Sequence, residues 1–283
     1  MPNRQSSVEV ALAKRDPKVI AALLPKWEWF YEHYFRTSTD GWHHIPKQQT
    51  LFVASHNGGL AAPDLVMLMV DWFRRFGYDR DMYGLMHAKI WQVNPGLAEL
   101  AAQCGAIPAH PKFAIAALQK GADVLVFPGG AQDVFRPHRQ RHQIQLMGRT
   151  GFIKLALREN VPIIPVVSLG AHDTFIVLDN CYDQAKWLNQ QGLLPWVLGI
   201  DPEVFPIYLG LPWGLAIGPI PHIPWPQQIH TRVCSPITFE QSGRQAANDK
   251  HYVQQCYDQV VAHMQTNLDQ LIKDVSQDNH PNA

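Results

Sequence analysis

The stretch SHNGGLAAPD, residues 55–64, joins a short apolar run, Leu51–Ala54, to a longer one that begins at Leu65. A plain connection needs turn residues, but it does not need a histidine and an aspartate within one loop. Imidazole is the side chain that exchanges a proton most readily near neutral pH. A carboxylate beside it fixes the tautomer and stabilises the imidazolium. His56 and Asp64 are therefore the candidate general-base pair. Pro63 suits the first position of a helix, which sets Asp64 in the first turn, where the helix dipole favours a negative charge. Gly58 and Gly59 reach dihedrals closed to other residues and allow the seven residues between His56 and Asp64 to bulge.

A second chemical stretch, VFPGGAQDVFRPHRQRHQ, follows the apolar run DVLV. Gly129 and Gly130 permit the close approach that backbone N–H groups need to serve a developing oxyanion. Arg136, Arg139 and Arg141 form a basic run suited to the phosphates of a ligand, and His110, in the PAH loop after GAI, joins that set. His138 and His142 stand four apart without a carboxylate partner, so no metal site is expected. There is no G-x-S-x-G nucleophile elbow and no Walker or dinucleotide glycine pattern. Ser168, His172 and Asp173 are too close in sequence for a hydrolytic triad.

The elements that must carry these loops alternate. Strands are expected at Leu51–Ser55, Gly105–Pro108, from Asp123, and at Val161–Gly170, with helices at Pro63–Phe76, Pro111–Gly121 and Gly151–Asn160 between them. Near-continuous apolar strands separated by helices predict an α/β fold with a mostly parallel central sheet flanked by helices. Further strands are expected at Phe175–Leu178, Pro206–Leu209 and Arg232–Phe239. A C-terminal amphipathic helix follows, its stripe running from Tyr252 through Val260 to Leu271. One domain over 1–283 is the economical reading: an N-terminal helical segment (1–36), an α/β core (37–240) and the closing helix (245–275). Lys plus Arg (24) balances Asp plus Glu (24), so nothing recruits nucleic acid. Four scattered cysteines suggest a reducing compartment. Neither a signal peptide nor a spanning helix is read.

Four blocks in order carry a resemblance: VASHNGGLAAPD, GAIPAHPKFAIAALQKG, VFPGGAQD and VPIIPV. Together they resemble the glycerolipid and lysophospholipid acyltransferase superfamily, over roughly Trp29 to Phe239. F-P-G-G is the form taken in its diacylglycerol, phytyl ester and wax-type branch. The family's first motif usually has four residues between His and Asp where this chain has seven. His110 stands where many relatives carry a phosphate-contacting arginine. The resemblance implies direct transfer of a fatty acyl group from acyl-CoA or an acyl-carrier protein, as co-substrate and without a resident cofactor, to a lipid hydroxyl. Relatives that use phosphorylated acceptors carry F-P-E-G-T-R in the third block; the absence of its Glu and Arg here, with Asp133 as a repelling charge, points to a neutral acceptor. The competing readings are a lysophospholipid acyltransferase, a thioesterase using water, and a non-catalytic lipid-binding protein. Peripheral membrane contact from the cytoplasm is expected through the aromatic-rich segments Trp27–Phe35 and Pro195–Trp225.

Overall fold

The computed structural model describes residues 7–196 and 199–278; Val197 and Leu198, within one of the segments expected to meet lipid, lie outside the described residues. Among the described residues ten strands form two sheets: β1 (Ser38–Asp40), β2 (Leu51–Ala54), β3 (Met82–Met86), β4 (Ala106–Pro108), β5 (Asp123–Val126), β6 (Ile163–Leu169), β7 (Ile176–Asn180), β8 (Pro206–Gly210), β9 (Gly214–Ile217) and β10 (His230–Val233). The main sheet runs β1-β10-β6-β2-β5-β3-β4. From β6 to β4 all neighbours are parallel, and β10 lies antiparallel to β6. β7, β8 and β9 make a separate antiparallel sheet.

The parallel strands form where the sequence offers unbroken apolar runs, because both of their faces are covered. Leu51 and Val53 point into one core with Val124, Ile163 and Val167, against helices Pro111–Gln119, Gly151–Glu159 and Lys250–Asp278. Phe52 and Ala54 point the other way with Leu125, Ile164 and Val166, against Ile20 of helix Pro17–Trp29 and Leu68, Trp72 and Phe73 of helix Pro63–Phe76. That is the two-residue period of a strand, applied on both sides. Each buried Leu, Ile or Phe contributes roughly 1.5–3 kcal/mol against exposure. The last helix starts where Asp249 caps it, accepting from the N–H groups of His251 and Tyr252 at 2.9 and 3.0 Å.

Three features depart from the sequence reading. β3 is not signalled by an apolar run, because its MYGLM sequence is fully buried only at Met82 and Tyr83. The last strand of the main sheet is His230–Val233 rather than Arg232–Phe239: Pro236 lacks the N–H that would continue the ladder, and only an isolated bridge joins Ile237 to Ile163. The strands between residues 175 and 218, β7 to β9, leave the main sheet altogether. In that small sheet Tyr208, Ala216 and Val177 pack inward with Phe135 and Phe175. The alternate residues, paired as Ile207 with Ile217 and Leu209 with Leu215, turn outward. Leu215 and Ile217 are 61% and 57% exposed. A sheet with one apolar face packed normally presents polar residues on the other; this one does not.

For the site, register matters most. Val53 pairs with Val126 of β5 and Ala54 with Val166 of β6, so the loops leaving β2, β5 and β6 begin at the same level of the sheet. In parallel sheets this carboxyl end is where ligands bind.

Candidate active site

His56 leaves β2 two residues after the strand ends. Its Nδ1 lies 3.4 Å from Asp64 Oδ2, and its ring lies over Phe127, with centroids 4.3 Å apart. Asp64 occupies the first turn of the helix that starts at Pro63, is buried, and accepts the Leu65 N–H on Oδ1 at 2.8 Å. Its Oδ2 also accepts the Asn57 N–H at 2.6 Å, which accounts for the longer approach of the imidazole to the same oxygen. With Nδ1 protonated toward the carboxylate, Nε2 keeps its lone pair for a substrate proton.

The loop between them is tightly determined. Gly58 and Gly59 have φ of +82° and +62°, and Ala62 sits at +43°. The extra residues form a short 3₁₀ turn, Gly59–Ala61, which leaves Leu60 exposed. A side chain at 58 would collide with the Pro63 ring, and a Cβ at 59 would lie 2.5 Å from His222 Cε1.

Behind His56 lies an ion pair. Asp133, fully buried, accepts the His56 N–H on Oδ2 at 2.7 Å and an Arg136 N–H on Oδ1 at 2.8 Å. Burial pushes the Asp133 carboxyl up to about 6, against the opposing pull of Arg136 and the His56 N–H. Arg136 is 2% exposed and donates to the carbonyls of His56, Asp133, Gln140 and Arg141 and to Asn57 Oδ1. This corrects two expectations. Arg136 has its donors committed inside the protein and cannot meet a donor phosphate, and Asp133 is too deeply buried and too well neutralised to repel the phosphate of an acceptor.

At the end of β5, Gly129 could not carry a side chain without striking Asp133 and the Gln145 carbonyl. Gly130 has φ +56° and gives its N–H to the Phe127 carbonyl at 3.2 Å. Arg149, exposed, lies along this turn, donating to the Pro128 carbonyl at 3.1 Å. The other candidates are spread out. Arg139 is exposed near the Leu178 carbonyl. Arg141 pairs with Asp173 at 3.4 Å. His110 caps helix Pro111–Gln119, accepting the Lys112 N–H at 3.2 Å. It follows β4, three strands from β2, or roughly 14 Å at the usual strand spacing. The structure thus brings His56, Asp64 and the Gly129–Gly130 turn together and leaves His110 apart.

Asn57, Phe127, Arg149 and His222 were not singled out by the sequence. Asp133 and Arg136 stand three apart, but Arg136 lies past the end of the short helix Gly130–Val134, so helical spacing gives no signal of their pairing. Among the described residues no cluster of His, Cys, Asp and Glu could hold a metal ion, and no helix is long and apolar enough to cross a membrane.

The model of the diacylglycerol acyltransferase family matches residues 94–278. The chain belongs to that family. The match takes in the Gly129–Gly130 turn, Asp133, Arg136 and Arg149 and begins after the His56 loop. An uncharacterized protein of Mycobacterium tuberculosis is 26% identical over 258 residues, 91% of this chain and 68% of that one. The 2-acylglycerol O-acyltransferase 3 of Homo sapiens is 28% identical over 42% of this chain and 37% of its own length. The diacylglycerol O-acyltransferase 2 of Danio rerio is 30% identical over 42% of this chain and 31% of its own. The fold is similar to the crystal structure of the 1-acyl-sn-glycerophosphate acyltransferase PlsC from Thermotoga maritima, with a TM-score of 0.51 at 14% identity, covering 96% of this chain and 83% of that one. Like the diacylglycerol acyltransferase family it belongs to, the chain is an acyltransferase of lipid metabolism.

Proposed function

We propose that this protein moves a fatty acyl group from an acyl thioester, acyl-CoA or acyl-carrier protein, to the hydroxyl of a neutral lipid, with His56 as general base. The observation that carries the proposal is the His56–Asp64 pair, 3.4 Å apart at the carboxyl end of the sheet and level with the Gly129–Gly130 turn. His56 Nε2 takes the proton of the acceptor hydroxyl as its oxygen attacks the thioester carbonyl. Asp64 stabilises the imidazolium. The tetrahedral intermediate collapses, the C–S bond breaks, and the imidazolium returns its proton to the leaving thiolate. The Gly129 N–H is the candidate oxyanion donor, since that of Gly130 is already given to Phe127. A base so placed contributes a factor of about 10² to 10⁴.

Arg149 and Arg139 remain as exposed arginines for the anionic part of the donor; Arg141, tied to Asp173, is a third. With Arg136 committed internally, little cationic surface is left for a phosphorylated acceptor, which favours a diacylglycerol, a long-chain alcohol or a reduced quinone. The outward apolar face of the small sheet, with Trp213 and Ile223 exposed beside it, supports peripheral attachment to a bilayer, where such acceptors reside. Labelled palmitoyl-CoA incubated with vesicles holding equal neutral alcohols and lysophosphatidate tests the reading. Neutral esters are expected; predominant phosphatidate would overturn the choice of acceptor.

A further inference from the structure

His222 lies in the proline-rich segment between β9 and β10, far from the other site residues in sequence. It is 9% exposed, and its ring nitrogens, closed off from solvent, make no well-formed hydrogen bond, with the Gly58 and Ile220 backbone as their nearest polar neighbours. The ring is stacked on Phe175 with centroids 4.5 Å apart and 21° between planes, and Tyr208 meets it edge-on at 5.7 Å. On its remaining side it meets the loop of the candidate base, with Cε1 2.5 Å from where a Cβ of residue 59 would stand. Burial lowers its pKa below the ordinary 6.5, against the pull of the adjacent Gly58 and Ile220 backbone, so the ring is neutral.

A buried polar ring without well-formed hydrogen bonds destabilises a fold. A purely structural wedge would be better made from an apolar side chain. The ring nitrogens are closed off from solvent and cannot reach a substrate. What His222 does touch is the bulge that accommodates the three residues by which this loop exceeds the usual family spacing. The Ala171 carbonyl and Pro63 hem in Gly58 on one side of the bulge, and His222 closes Gly59 on the other. Asn57, whose N–H holds Asp64, and Asp64 itself flank that bulge.

We propose that His222 is a positioning residue for the candidate base: its ring, backed by Phe175, props the Gly58–Gly59 bulge so that Asp64 stays in reach of both the Asn57 N–H and His56 Nδ1. The proposal rests on His56 acting as general base. A displacement of about 1 Å in such a constellation can cost up to about 10²-fold in rate.

The test uses the full chain, palmitoyl-CoA and a long-chain alcohol in phosphatidylcholine vesicles. His222→Ala is expected to lower kcat about tenfold or more while the thioester KM stays within about twofold. Added to Asp64→Asn it is expected to cost less than about twofold further, because both changes act through the same imidazole. A kcat within about twofold of the parent, or a loss that multiplies with that of Asp64→Asn, overturns the proposal. If His222→Ala does not fold, His222→Gln, closer in volume, is judged by the same two criteria. His56→Ala, run alongside, separates the two ideas. Turnover surviving in His56→Ala overturns the general-base reading itself, whereas an inactive His56→Ala with a fully active His222→Ala overturns only the positioning role.

Discussion

One ion pair holds the His56 backbone from both sides: the Asp133 carboxylate accepts its N–H at 2.7 Å, and the Arg136 guanidinium donates to its carbonyl at 3.0 Å. The residue that presents the imidazole is therefore fixed by charges that never meet solvent. Removing one partner of a buried pair leaves the other charge uncompensated, which costs about 3–5 kcal/mol. Arg136→Met is expected to lower unfolding stability by about that much in urea titrations, and the thioester KM of the folded fraction stays unchanged. A variant of full stability with a raised donor KM would restore Arg136 to the donor site.

His56→Ala is expected to reduce kcat at least about 10²-fold with little change in stability, because the ring is partly exposed and the backbone contacts remain. Asp64→Asn should cost a similar or smaller factor through a misoriented imidazole. Steady-state acyl transfer and thermal unfolding, measured on the same preparations, check both.

Arg149 is exposed and touches the Gly129–Gly130 turn through the Pro128 carbonyl. Its replacement by Ala is expected to raise the acyl-CoA KM about tenfold, with a stability change within about 0.5 kcal/mol, as for other surface substitutions. An unchanged KM at both low and high salt would remove Arg149 from donor recognition.

His172 gives the stability a pH dependence of known sign. Its pKa is lowered well below 6.5, first by burial and then by the charge of Arg136. Above about pH 6.5 the ring is neutral in both folded and unfolded chains. Below it the unfolded chain takes up a proton that the folded one refuses, so stability falls as pH falls, by about 1.4 kcal/mol per unit. Asp133, raised to about 6 by burial, acts in the opposite sense between about pH 4 and 6, adding stability as pH falls. Urea titrations from pH 7 to 5 should therefore show His172→Gln losing less stability per unit than the parent. An equal slope in both proteins would contradict the shift.

The outer face of the small sheet is expected to carry membrane attachment. Leu215→Glu combined with Ile217→Glu should abolish flotation with liposomes and leave the melting temperature within a few degrees, since both side chains already face solvent. Flotation unaffected by the double change would move the contact elsewhere.

The fold was legible where burial is complete. Leu51–Ala54, DVLV and VPIIPVV read as strands because parallel strands covered on both faces are nearly unbroken apolar runs, with Asp123 at the start of DVLV held by Thr50 and Arg80. β3 was not, since Gly84 to Met86 are only half-buried and break the apolar run. The small sheet was hidden by prolines that punctuate strands without saying which sheet they join. Within the candidate site, the sequence pointed to His56 and Asp64 because their types and helix position are local facts. Arg136 misled because a run of basic residues looks like a solvated loop. Nothing in RPHRQRHQ tells that one member folds back over an aspartate three residues earlier. His222 gave no signal at all: its importance comes from Phe175 and Gly59, which only tertiary packing brings to it.

The two sheets also treat their borders differently. The main one ends in β1 and β4, each three residues long, and β4 closes on Pro108, which has no N–H to offer. Such edges are poor templates for another strand. β9 has the opposite character: it is one of the two margins of the small sheet, and its outward side chains are Leu215 and Ile217. In lipid-free water the unpaired backbone of β9 invites a second copy, and the outward apolar side chains are hidden when two such faces meet. The purified protein should therefore self-associate as its concentration rises and disperse in detergent or vesicles, so that its solution state depends on the amphiphile supplied with it.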